Sequence, residues 1–146
     1  MSSRLTAVAP DLVEALTHQS VAALQVVAKT VADWVVDRAG LVDPRVDAGL
    51  AALRQGNLGP STERSELQLL VVQLDEQAWD IQDQLDAGSA TDEEYLAAFG
   101  LARAGSAIWY ALDNDALQAA LESVYEAQAA SGELEILREL VFSVLG

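Results

Sequence analysis

One third of the chain is alanine or leucine, 26 Ala and 22 Leu in 146 residues, and that composition constrains the fold more than any other feature. Both residues bury no polar group and lose little rotamer freedom in a helix, so they are among the strongest helix formers. Their spacing agrees. From Val13 through Leu16, Ser20, Leu24, Val27, Val31, Trp34 and Arg38 the steps are three or four residues, which sets one stripe along a helix. Either one helix runs from Asp11 to Ala39, or a short helix precedes a longer one beginning near His18, because Thr17-His18-Gln19-Ser20 interrupts the pattern. No strand-like alternation of useful length occurs, and 146 residues suit one core.

Local punctuation divides the rest. Gly40 suits a left-handed helix stop, and Asp43-Pro44 supplies a capping carboxylate followed by proline at the first helical position. The short helix after it carries Val46, Leu50 and Leu53 to Gly56, and the loop QGNLGPST breaks the chain. Leu67, Leu70, Leu74, Ala78, Ile81 and Leu85 then form an almost strict heptad seam that stops at Gly88. Thr91 with Glu94 forms a capping box for a helix to about Leu112. Asp113-Asn114-Asp115 reads as a turn plus cap for a helix to about Ala130, and Leu134 to Leu145 closes the chain. The expectation is an all-α single domain over residues 1–146. Its architecture is an antiparallel helical bundle, or a short stack of helical hairpins, with about six helices.

Composition also removes whole classes of chemistry. Without cysteine there are no disulfides, thiolate nucleophiles or thiolate metal sites. One histidine, His18, cannot furnish the paired Glu-x-x-His motifs of a di-iron bundle. The acidic turn at Asp113 has Gln118 where a calcium loop needs glycine, and Val124 where it needs a bidentate Glu. There is no Gly-x-Ser-x-Gly elbow and no glycine-rich phosphate loop leading to the single lysine, Lys29. The expectation is therefore no enzyme, no cofactor and no metal. The opening Met1 to Pro10 lacks the form of a secretory leader, and no uncharged run approaches membrane-spanning length, so a cytoplasmic protein without membrane association is expected.

Charge is distributed unevenly. Eight Lys and Arg against 23 Asp and Glu leave a net charge of −15, which excludes a basic clamp for nucleic acid. Between Arg64 and Arg103 stand nine acids and no base: Glu66, Asp75, Glu76, Asp80, Asp83, Asp86, Asp92, Glu93 and Glu94. On the heptad helix Glu76, Asp80 and Asp83 lie opposite the apolar seam at spacings where like charges repel. Two explanations compete: net charge that keeps a small Ala-rich domain soluble, or a face that docks a basic partner. The docking version points to Asp75, Glu76, Trp79, Asp80, Asp83 and Asp86, with Trp79 as an apolar centre. For Trp79, as for Trp34 and Trp109, a buried structural position is the simpler expectation.

The helix from Asp92 to Leu112 is crowded with small residues (Ala97, Ala98, Gly100, Ala102, Ala104, Gly105, Ser106, Ala107). Mid-helix glycines cost about 1 kcal/mol each relative to Ala, a cost offset when another backbone packs closely. A central helix with Arg103 paired to one of the acids is expected, rather than a ligand pocket.

Asp43-Pro44-Arg45-Val46 leading through Leu50 and Leu53 to Gly56, and Leu101-Ala102-Arg103-Ala104 leading to Trp109-Tyr110-Ala111-Leu112-Asp113, resemble blocks of small, acidic, Ala-rich, all-helical proteins of high-GC bacteria. Some of these are labelled immunity proteins of polymorphic toxin systems. Seven Arg against one Lys agrees with such an origin. The resemblance implies a protein that binds and neutralises a partner, and no catalytic residue. The most concrete functional expectation is an inhibitor that docks its acidic helix on a basic toxin or nuclease. Self-association through the Leu67 to Leu85 seam is one alternative. A small-molecule binder or enzyme, with a pocket lined by Arg103, Tyr110 and Tyr125, is another.

Overall fold

In the computed structural model, which describes residues 3–146, seven α-helices follow a single 3-10 turn at Arg4–Ala7. Met1 and Ser2, part of the opening stretch read against a leader, lie outside the described residues. The helices are α1 (Pro10–Thr17), α2 (Val21–Ala39), α3 (Pro44–Gln55), α4 (Thr62–Asp86), α5 (Asp92–Ala111), α6 (Ala116–Ser131) and α7 (Leu134–Leu145). The all-α expectation holds, with one helix more than six because the chain breaks at His18-Gln19-Ser20. There Ser20 accepts a hydrogen bond from the Ala23 amide and caps α2, so the longer helix begins at Val21. No described helix is long and apolar enough to cross a membrane.

The caps are those the sequence predicts. Asp43 accepts from the Arg45 amide with Pro44 in the first turn, and Thr91 and Glu94 form the reciprocal capping box of α5. Asp115 caps α6 through the Gln118 amide. Each cap satisfies backbone donors that a helix start leaves without partners.

Helix α5 is the axis of the molecule. It packs against α2, α3, α4 and α6, and Gly100, Ala102, Ala104, Gly105, Ser106, Ala107, Ile108 and Ala111 are all buried. The small side chains let its neighbours approach closely. A Cβ added at Gly100 would stand 3.1 Å from the Ala130 carbonyl oxygen, and one at Gly105 would stand 3.2 Å from a Val71 methyl. Antiparallel pairing of α4 with α5 follows from two links, Asp75 to Arg103 and Arg64 to the Trp109 carbonyl. One apolar core runs continuously from Leu5 to Val141, with Leu12, Leu16, Val27, Val31, Leu67, Ile108, Leu112 and Leu137 fully buried.

The first part of the α4 heptad seam, Leu67, Leu70 and Leu74, joins this core, and Ala78 is buried as well. Ile81 and Leu85 are only half-buried, because the last turns of α4 run out beyond the packed core towards the α4–α5 connection.

Candidate partner-docking face

The arginines divide the acids of α4 into paired and unpaired. Among the described residues six of the seven arginines pair with the chain's own carboxylates: Arg4 with Glu122 and Glu126, Arg38 with Glu133, Arg45 with Asp43, Arg54 with Asp33, Arg103 with Asp75 and Glu126, and Arg138 with Asp11 and Glu135. The seventh, Arg64, lies 4.1 Å over the Trp109 ring and donates to its carbonyl oxygen. Among the described residues, Asp75 is the one acid of the nine between Arg64 and Arg103 that forms an ion pair.

Asp75 differs from the other acids of the expected docking set. Its Oδ1 accepts from Arg103 Nη2 at 2.8 Å, and the side chain is half-buried between α4 and α5. Arg103 also donates to both oxygens of Glu126 on α6, whose side chain is 1% exposed. Arg4 completes the network from the N-terminal turn, bonded to Glu122 and Glu126 and stacked 4.2 Å over Tyr125. Burial works against the charge of Arg4, yet its bonds to Glu122 and Glu126 hold its pKa above the ordinary arginine value. The paired central arginine expected from the small-residue helix is thus present, and sequence spacing alone could not select Glu126 from 23 acids.

A groove of about 340 Å³ beside this network is lined by Arg4, Gln68, Val72, Asp75, Arg103 and Tyr110, among others. Tyr125 lies under Arg4 instead of completing a pocket with Arg103 and Tyr110. The charges here are turned on one another: two guanidiniums bridge three carboxylates.

The remaining members of the predicted set do share a face. Glu76, Trp79, Asp80, Asp83 and Asp86 are all exposed, and among the described residues none of the four acids forms an ion pair. Asp86 accepts only from Gln82. Trp79 is not buried as a structural anchor would be. It is 65% exposed, whereas Trp34 and Trp109 are half-buried against the core. The sequence reading missed Leu69 and Val72, which are 55% and 49% exposed on the same side of α4. Their signal is present in the spacing, since 69, 72, 76, 79, 83 and 86 alternate steps of three and four.

Local energetics oppose this arrangement. The last turn of α4 contains no basic residue, and the helix C-terminus already carries the negative end of the macrodipole, so Asp83 and Asp86 sit where an acid costs about 0.3–1 kcal/mol. By contrast Asp92, Glu93 and Glu94 occupy the first turn of α5, where negative charge is favourable. Among the described residues no three His, Asp or Glu side chains converge as a metal-ligand set. Comparison with family models, with curated proteins and with solved structures returns no match to this chain.

Proposed function

We propose that this protein is a non-enzymatic binding module whose outward α4 face docks a basic protein. Its most concrete form is an immunity-type inhibitor that covers the cationic surface of a toxin or nuclease. One observation carries the reading: Trp79 is exposed amid Glu76, Asp80, Asp83 and Asp86, four carboxylates that the chain's own arginines leave unmatched. A charge placed only for solubility gains nothing from a large exposed indole, which raises the risk of aggregation. An interface gains from both, because unpaired acids steer a cationic partner and an aromatic anchor supplies the desolvated centre.

The test is affinity capture from extracts of the source organism, at low salt and again at high salt. A basic protein retained in stoichiometric amount and released as salt rises supports the reading. Retention of acidic proteins only, or of nothing at low salt, counts against it.

A further inference from the structure

Helix α4 carries two lines of side chains. The inner one is the buried seam through Leu67, Leu70, Leu74 and Ala78. The outer one runs Leu69, Val72, Glu76, Trp79, Asp83, Asp86, all exposed, and repeats every 3.5 residues over roughly 26 Å of helix. Steps of three and four keep these side chains on one side of α4, a line along which a second helix can lie. A sheet edge, with its period of two, would not match that line.

The line is also graded. Leu69 and Val72 make its first third apolar, Trp79 sits between Glu76 and Asp83, and Asp83 and Asp86 make its end acidic, with Asp80 on the flank. A purely electrostatic contact would have no use for Leu69 and Val72. A second copy of this chain would bring more acid to acid, since α4 contains no base after Arg64. From the period and the gradient together we infer that the occupant of this face is a cationic amphipathic helix of the basic partner. It lies along α4 with apolar side chains on Leu69, Val72 and Trp79 and Lys or Arg on Glu76, Asp80, Asp83 and Asp86. This rests on the docking role proposed above and names the element that docks.

Three labelled peptides test it against the intact protein. One spans about three heptads with leucines on a single stripe and Lys and Arg elsewhere. The second is a scramble of identical composition, and the third is oligolysine of equal length. Fluorescence anisotropy at about 50 mM salt, where screening is weak, gives affinity, and circular dichroism gives induced helicity. The heptad peptide is expected to bind at least about tenfold more tightly than its scramble and to become helical on binding. Trp79→Ala should remove about tenfold of that affinity, and Glu76→Gln with Asp83→Asn should weaken all three peptides. Equal binding of the two isomers overturns the helix assignment while leaving a charge-reading face intact. Failure of every cationic peptide to bind overturns both. Sedimentation of the free protein as a dimer that Trp79→Ala dissociates assigns the face to a second copy, which also overturns the inference.

Discussion

Arg103 reaches from α5 to Asp75 on α4, Nη2 to Oδ1 at 2.8 Å, and this single bond separates the acids of α4 into two kinds. Asp75 holds two helices together. Among the described residues Glu76, Asp80, Asp83 and Asp86 form no ion pair, and they repel one another.

Opposite signs of stability change follow. Asp75→Asn is expected to lower stability by about 1–2 kcal/mol, because a half-buried guanidinium loses its charged acceptor. Asp83→Asn and Asp86→Asn are each expected to raise it by about 0.3–1 kcal/mol, by relieving the helix C-terminus of negative charge. Urea denaturation of the three variants checks the contrast. A stabilising Asp75→Asn would mean that the ion pair is not what joins α4 to α5.

Glu126 is the deepest carboxylate of the network, with both Arg4 and Arg103 bonded to it. Glu126→Ala should cost about 2–3 kcal/mol, less than a fully dry pair because Arg4 is partly in water. Glu122→Ala, which removes only the outer partner of Arg4, should cost less than about 1 kcal/mol. Thermal unfolding of both variants distinguishes the inner from the outer carboxylate.

Helix boundaries were readable in the sequence wherever a cap is made by neighbours: Asp43 with Pro44, Thr91 with Glu94, Asp115 after its turn. The break between α1 and α2 was ambiguous because only Ser20 marks it, within a stripe whose spacing continues across the gap. Trp79 could be named as a candidate but not shown to be exposed, since it neighbours both seam and acidic positions. Asp75 could not be separated from the acids around it, because its partner lies 28 residues away on another helix. Leu69 and Val72 read as extra width of the core seam until the packing of α5 shows which side of α4 is covered.

Two glycines test the close packing of α3 and α5. A Cβ at Gly49, within α3, would meet methyl groups of Ile108 and Leu67 at 3.4 Å, an ordinary contact. Gly49→Ala should therefore gain about 0.5–1 kcal/mol from helix propensity. At Gly100 the new methyl faces the Ala130 carbonyl oxygen at 3.1 Å, and a helix backbone cannot move aside as a side chain can. Gly100→Ala should show no gain or a loss in the same denaturation assay, and a gain as large as that at Gly49 would show α5 and α6 to be further apart.

Acid should weaken the fold through two ion pairs. The hydrogen bond from Arg138 holds the Asp11 carboxyl below its ordinary pKa, and the bond from Arg45 does the same for Asp43. A carboxyl whose folded-state pKa is lowered stabilises the protein above its unfolded pKa and loses that contribution as pH falls through the folded value. Stability is therefore expected to decline as pH drops below about 4, and Asp11→Asn with Asp43→Asn should flatten that part of the profile. An unchanged slope in the double variant would show that neither pair matters to the folded state.

Paired capture shows whether the outward face of α4 is a recognition surface. Wild type and the Glu76→Lys, Asp80→Lys, Asp83→Lys variant, shown by circular dichroism to be equally helical, are offered the same extract at low salt. A basic protein retained by the wild type and lost to the variant is expected. Equal retention of that protein by both would place its binding site elsewhere and leave the acids of α4 without a recognition role.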